Sequence, residues 1–300
     1  MAFVEKNDRV TPDVKKSEYN KIKQKLMKKP EEMEETYIKA LFIGRASTGK
    51  SAVAMDLLKF MNLEDREKLF VIDIEDGDQP NTITYHQDEY MNQNLIRYNP
   101  LEKDRKPLPE GGYLETTNYT KTVENILIAG QVIKDHLDAW KVKGIVIDGL
   151  ATLLKLAEWK NPAENYLGAD NKINGKYWTD RAQSFFEIMQ FYKGIECDTI
   201  FVGNIDFETS ALDKGQSKVY TEATDTVYQK VVFSTEELQD SYKRYYGKIE
   251  KSKQNIKSSG RRIKFSEVDL EHSEADYWFD ATELLNALRP DPNARNSADR

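Results

Sequence analysis

Short, continuous apolar runs recur along the chain and predict buried strands. Such runs are typical of parallel strands that are covered on both faces, because neither face carries alternating polar residues. Between them, apolar residues return at helical spacing. The pattern therefore predicts an α/β fold in three layers, with a mostly parallel central sheet and helices on both of its faces. The predicted strands are residues 37–43, 68–74, 95–98, 144–148 and 199–203.

Three helices are predicted between these strands. They cover residues 123–140, 150–159 and 178–192. In the first and the third, apolar residues three or four positions apart would place one face of the helix against the core. Residues 99–118 instead hold three prolines and two glycines, which predicts a long irregular segment.

The C-terminal part is predicted to contain a long basic helix. Ser234 and Glu237 fit a capping box, and the predicted helix runs from there towards Lys257. Residues 262–268 alternate between polar and apolar side chains, which indicates a half-exposed strand. A final helix is predicted over 280–288.

Three regions follow from these patterns. Residues 1–36 are rich in lysine and glutamate with few apolar anchors, which predicts a charged, helical N-terminal extension. Residues 37–288 are predicted to form one α/β domain, and 289–300 a disordered tail.

Composition narrows the class of protein. Of the 300 residues, 39% are hydrophobic and 32% are charged, as in soluble globular proteins. No apolar run is long enough to span a membrane, so no membrane association is predicted. The single cysteine, Cys197, excludes an internal disulfide, and three scattered histidines offer no zinc-binding spacing. A cytoplasmic location is therefore predicted.

The net charge of −7 conceals a strong asymmetry. Residues 243–264 contain nine basic side chains and one acidic side chain, a local charge of +8 that leaves −15 for the rest of the chain. A concentrated basic segment on an acidic body indicates an anionic partner such as nucleic acid. The alternative is a solvated helix face without a partner.

Residues 44–51 carry the clearest chemical signal. They fit the pattern G-x-x-x-x-G-K-[ST] of phosphate-binding loops, whose backbone N–H groups wrap around the phosphates of a nucleotide. A predicted strand leads into the loop and a predicted helix leaves it, as the motif requires. Lys50 would contact the β- and γ-phosphates of ATP, and the Ser51 hydroxyl would ligate Mg²⁺. The predicted nucleotide-binding residues are Gly44, Arg45, Ala46, Ser47, Thr48, Gly49, Lys50 and Ser51.

Polar residues also follow the other predicted strands. Asp148 is the expected second ligand of Mg²⁺, acting through a coordinated water. Because Gly149 follows it instead of a glutamate, the residue that activates water must come from another strand, and Glu75 would supply it. Asn204 ends a further strand. Ligands in such sheets bind at the carboxyl ends of the strands, so these residues are expected at one edge. The alternative for Asp148 and Glu75 is a local role in a turn.

In four stretches the chain resembles the RecA/RadA recombinase superfamily of ATPases. They are the loop at 44–51, the strand that ends in Asp73 and Glu75, the strand at 145–148 and the segment 200–204. The chain looks most similar to the short, single-domain RecA-like proteins of phages and archaeal viruses.

This resemblance implies roles and partners. Glu75 would orient the attacking water, and Asn204 would sense the γ-phosphate and pass its state to a DNA-binding loop. RecA-like ATPases generally place the nucleotide between subunits, so a homo-oligomer is implied. Arg261 or Arg262 of a neighbouring subunit would then stabilise the charge that develops on the γ-phosphate. The implied partner is single-stranded DNA.

Two other classes of function are open at this point. A small-molecule or nucleoside kinase also has a phosphate-binding loop, but it usually needs an arginine-rich lid. Segment 99–118 offers only Lys103, Arg105 and Lys106 for this role. A nucleotide-gated scaffold or packaging component would bind ATP with little turnover.

Overall fold

A computed structural model gives the fold of the chain. The predicted N-terminal extension at 1–36 and residues 290–300 of the predicted tail lie outside the part of the chain that it describes, as does Glu75. The described residues are 37–74, 86–160, 167–168, 175–204, 226–238, 242–269 and 277–289.

The described elements alternate between strands and helices in the first two thirds of the chain. The helices are α1 Lys50–Met55, which continues as a 3₁₀ helix at Asp56–Phe60, α2 Gln87–Met91, α3 Tyr119–Asp135, α4 Leu150–Lys160, α5 Gly175–Lys193 and α6 Thr282–Leu288. The strands are β1 Lys39–Gly44, β2 Lys68–Asp73, β3 Leu95–Tyr98, β4 Lys103–Pro107, β5 Tyr113–Thr117, β6 Val142–Asp148, β7 Asp198–Asn204, β8 Gln229–Glu237, β9 Tyr242–Ser252, β10 Arg262–Asp269 and β11 Tyr277–Phe279.

Nine of the described strands form one sheet in the order β11-β10-β9-β8-β1-β7-β6-β2-β3. The pairings from β8 to β3 are all parallel, and the pairings among β8, β9, β10 and β11 are antiparallel. β7 therefore lies between β1, which leads into the phosphate-binding loop, and β6, which ends at Asp148.

The sheet has a hydrophobic core on each face. Leu41 and Ile43 of β1 point into the core formed with α3, α4 and α5. Ala40 and Phe42, at the alternate positions, point into the core formed with α1 and α6. Two-sided burial accounts for the continuous apolar runs of the sequence. The predicted fold class, a three-layer α/β fold with a mostly parallel sheet, is confirmed.

The predicted helix from Ser234 towards Lys257 is wrong, because this segment forms the antiparallel strands β8 and β9. Ser234 and Glu237 lie opposite Tyr246 and Lys243 across this pair and cap no helix. Alternate residues of β8 and β9 are buried, a period of two that sheet pairing imposes. β8 also pairs with β1, and this contact outweighs the helix propensity of the lysines.

Segment 99–118 is more regular than predicted. It contains a separate two-stranded hairpin, β4 with β5, in which the Arg105 guanidinium lies 2.8 Å from a carboxylate oxygen of Glu115. Gly111 and Gly112 close the hairpin with positive φ angles of 89° and 88°, a conformation that glycine adopts without strain.

The other helices and strands predicted among the described residues are confirmed, with ends that differ by a few residues from the prediction. α3 ends at Asp135, and the chain then turns so that Trp140 stacks on His136 with a centroid separation of 4.6 Å. Predicted strand 262–268 is β10 and predicted helix 280–288 is α6. The Asp280 carboxylate accepts a hydrogen bond from the backbone N–H of Thr282 at 2.9 Å.

Candidate functional site

The phosphate-binding loop connects β1 to α1 at the carboxyl edge of the parallel strands. Its two glycines are required by close packing. A Cβ at Gly44 would lie 2.6 Å from the backbone oxygen of Phe233, and one at Gly49 would lie 2.9 Å from the ring of Phe265. Gly49 also has a φ of 82°, in the region that favours glycine. The loop therefore rests directly on β8 and β10.

Lys50 places a positive charge inside this loop. Its side chain is buried, with 4% exposed, and its ammonium group donates hydrogen bonds to the backbone oxygen of Arg45 at 2.5 Å and to Thr48 Oγ1 at 3.3 Å. The Thr48 hydroxyl donates to the same oxygen at 2.9 Å. Arg45, Ala46 and Ser47 are exposed at the top of the loop. A desolvated ammonium among small residues is suited to a phosphate group.

Asp148 and Asn204 lie beside the loop on the same face of the sheet. Asn204 is level with Gly44, and Asp148 is level with Val202 of the intervening strand. Both residues alternate in phase with Val146 and Val202, which face the core shared with α1. Two strand spacings separate β6 from β1, so the Asp148 backbone lies about 10 Å from β1. Asp148 is buried and Asn204 is half-buried.

Gly149 excludes a catalytic side chain directly after Asp148. Its φ is 108°, in the left-handed region, and its N–H donates to the backbone oxygen of Val202 at 3.2 Å. The oxygen of Gly149 then accepts the N–H of Leu153 in the first turn of α4. The backbone itself therefore supports the inference that any water-activating residue comes from another strand.

The structure adds Arg97, which the sequence did not single out. It lies on β3 beside Asp73, and its guanidinium donates two hydrogen bonds, of 2.8 and 2.5 Å, to one carboxylate oxygen of that residue. Asp73 is in turn the register neighbour of Asp148. The ion pair offsets the charge of Asp73, which is the farther of these two carboxylates from β1 in the strand order.

Arg261 and Arg262 are each paired with an acidic side chain of their own chain. The buried neighbours of Arg262, Ile263 and Phe265, face α1 and α6, so Arg262 points to the opposite face of the sheet. Arg262 pairs with Glu236 at 3.1 Å and Arg261 pairs with Glu283 at 2.8 Å.

The basic segment is also partly offset by acidic side chains that lie just outside residues 243–264. Lys243 lies 3.3 Å from Glu237, and Lys264 lies 3.0 Å from Glu267. The count of charges along 243–264 missed these partners because they come from β8 and from the far end of β10.

The donor set fits magnesium better than a metal held by protein alone. Within the described ranges, no three His, Cys, Asp or Glu side chains come together to hold a metal ion. One hydroxyl, Ser51, and one carboxylate, Asp148, leave the remaining positions to water and phosphate oxygens, which is the coordination that Mg²⁺ prefers. The loop and these two residues could therefore hold Mg-ATP.

Comparison with known proteins gave no matching family model and no matching curated protein. Among solved structures, the chain is similar to a KaiC-like protein from the archaeon Pyrococcus horikoshii. The TM-score is 0.45 with 12% sequence identity, and the match covers 75% of this chain and 84% of the other. None of the helices that the structure describes is long and apolar enough to cross a membrane.

Proposed function

We propose that this protein is a RecA-like ATPase that binds and hydrolyses Mg-ATP. The observation that carries the proposal is the desolvated Lys50 ammonium inside a glycine-containing loop, at the same sheet edge as Asp148 and Asn204. A turn that matched the motif by chance would have no reason to bury a lysine there. Burying a charge is costly unless the charge is paired and hydrogen-bonded, and a bound phosphate would pair with this ammonium.

Each residue has a distinct task in this proposal. The loop N–H groups and Lys50 bind the phosphates, and Ser51 and Asp148 orient the magnesium that accompanies them. Glu75, outside the described residues, accepts the proton of the attacking water. Asn204, level with the first residue of the loop, contacts the γ-phosphate.

The proposal extends to assembly and to a partner. The protein acts as a homo-oligomer on single-stranded DNA, with Arg261 or Arg262 reaching the nucleotide of a neighbouring subunit. Support for this comes from the resemblance to RecA-like ATPases and from the orientation of Arg262 away from the face of the sheet that carries α1. The kinase alternative loses support because Arg105, one of three cations available for a lid, is paired with Glu115.

Release of inorganic phosphate from ATP tests the proposed hydrolysis. Asp148→Asn is expected to raise the Mg²⁺ concentration that turnover requires. Glu75→Gln should retain ATP binding but lose turnover by about 100-fold or more, because the amide cannot accept the proton. The measurements are steady-state release of inorganic phosphate and ATP affinity, each with and without single-stranded DNA.

Glu110→Gln, a change of an exposed carboxylate in the β4–β5 turn, is the matched control and should behave as wild type. Transfer of phosphate to a small-molecule acceptor in place of water would identify a kinase. ATP binding without any turnover would identify a scaffold. Equal turnover in Glu75→Gln and wild type would show that another residue activates the water.

A further inference from the structure

The antiparallel part of the sheet has one covered face and one face with exposed polar and aromatic side chains. Ile249, Ile263 and Phe265 point into the core beneath α1 and α6. The opposite side of β9, β10 and β11 carries a group that we call the basic-aromatic face: Arg244, Tyr246, Lys248, Arg262, Lys264 and Trp278.

Cations and rings are interleaved on this face. The guanidinium carbon of Arg262 lies 3.7 Å from the centroid of the Tyr246 ring, and the Lys264 ammonium lies 5.2 Å from the centroid of Trp278. Both contacts cross from one strand to the next, so the sheet holds ring and cation in place. Trp278 is nevertheless 46% exposed. A large ring kept partly in water by a rigid sheet is an available stacking surface.

The charge of the face favours an anion. Glu236 and Glu267 are the acidic partners of Arg262, Arg244 and Lys264, which leaves an excess of cations. Among the described residues, Lys248 makes no ion pair, and its side chain is exposed. The chain as a whole carries −7, so this local excess of positive charge contrasts with its surroundings.

Rings and cations together select one class of partner. A peptide with an acidic surface would use the cations but not the rings, and duplex DNA keeps its bases stacked inside. Unpaired bases stack on aromatic and guanidinium planes while lysines meet the phosphates, so single-stranded nucleic acid uses both. This chemistry is independent of base sequence.

We propose that the basic-aromatic face binds single-stranded nucleic acid, with bases stacked on Trp278 and on the Tyr246–Arg262 pair and with Lys248 at a phosphate. The inference rests on the proposed function in taking nucleic acid as the partner, and it adds the place and the mode of binding. Since the face lies opposite the side of the sheet that carries α1, binding does not require the ATP site of the same chain.

Fluorescence anisotropy with labelled oligonucleotides of twenty thymidines or twenty uridines, without nucleotide, tests this inference. Trp278→Leu and Tyr246→Leu should each weaken binding by about tenfold, because each removes one stacking ring. Lys248→Gln should weaken binding less and flatten its dependence on salt. Glu236→Gln should tighten binding because it removes a competing carboxylate from Arg262. A duplex of the same length should bind more weakly than the single strand.

The control for the aromatic variants is Tyr113→Leu, which removes a 68% exposed ring from the β4–β5 hairpin and should leave affinity unchanged. Unfolding midpoints establish that each variant is folded. If the folded Trp278→Leu and Tyr246→Leu variants bind as wild type does, the inference is wrong. Because the assay contains no ATP, this result would leave the proposed ATPase function standing. If wild type showed no affinity for ATP in a separate titration, that result would contradict the proposed ATPase function and would leave the inference about the basic-aromatic face standing.

Discussion

Two buried lysines, Lys39 in β1 and Lys50 at the start of α1, show how the surroundings decide the role of a cation. Each has 4% of its side chain exposed. The Lys39 ammonium donates to the backbone oxygens of Ile195 and Cys197, each at 2.6 Å. The Lys50 ammonium donates to the backbone oxygen of Arg45 and to Thr48 Oγ1 within the loop. Lys39 is therefore a structural connector, whereas under the proposed function Lys50 would exchange one loop contact for a phosphate.

Lys39 makes the stability of the protein depend on pH. Desolvation by burial is the main cause that lowers its pKa from 10.5 to about 8, and the nearby Cys197 and Asp198 oppose this shift. Between these two values the unfolded chain binds the proton and the folded chain does not, so stability rises with pH. The free energy of unfolding should rise by up to about 3 kcal/mol between pH 8 and 10.5 from this group.

Urea unfolding of wild type and Lys39→Met across this pH range isolates the effect. Burial also raises the pKa of Cys197 to about 12, but that thiol is present in both proteins and its contribution largely cancels in the difference. The stability difference between wild type and Lys39→Met should shift in favour of wild type as pH rises. A difference independent of pH would mean that Lys39 keeps an ordinary pKa in the fold.

At the scale of elements, a glycine sets the contact between α3 and α5. A Cβ at Gly130 would lie 2.5 Å from a ring carbon of Phe191 and 2.8 Å from one of Tyr192. The Tyr192 hydroxyl also donates to the backbone oxygen of Ile126, so the ring cannot move away freely. The close approach explains why a residue with poor helix propensity lies inside α3.

Gly130→Ala should lower the free energy of unfolding by about 1–2 kcal/mol, because overpacking outweighs the gain in helix propensity. Gly175→Ala is the matched control, since a Cβ there meets none of the described residues within 4 Å at the start of α5. Chemical denaturation of both variants gives the comparison. A Gly130→Ala protein as stable as Gly175→Ala would show that the two helices pack less closely than described here.

The elements also show what sequence patterns can and cannot predict. The parallel strands β1, β2, β3, β6 and β7 were predicted to within two residues at each end, because two-sided burial produces apolar runs that are readable locally. β8 and β9 were assigned to a helix because their lysines and a chance capping box gave a local signal, whereas the pairing of β8 with β1 depends on distant residues. The same limit hid the β4–β5 hairpin within a segment rich in proline and glycine.

In the candidate site, too, residues that are contiguous in the sequence were predicted, and contacts between distant residues were not. The loop at 44–51 was predicted because all its residues are contiguous, and Asp148 and Asn204 followed from the rule for strand ends. The Arg97–Asp73 pair could not be predicted, since it depends on β3 lying beside β2. Nor could the ion pair between Arg262 and Glu236, since these residues come from β10 and β8.

At the scale of the whole molecule, the sheet separates two chemical surfaces. The phosphate-binding loop lies at the carboxyl edge, on the face that carries α1, and the basic-aromatic face lies on the other side of β9, β10 and β11. Phe265 is the residue between them, since its ring contacts the loop at Gly49 while its strand neighbour Lys264 lies on the basic-aromatic face. β10 therefore belongs to both surfaces.

The loop is expected to bind Mg-ATP through Lys50. Isothermal titration calorimetry of the full chain is the most direct test of this binding. Wild type should bind ATP with an affinity that depends on Mg²⁺. Lys50→Ala should bind at least about tenfold more weakly, because it removes the charge that meets the phosphates. Lys143→Ala, which removes an exposed lysine beside Glu67, should match wild type. A wild type without Mg²⁺-dependent affinity, or a Lys50→Ala variant that binds as tightly as wild type, would contradict the account.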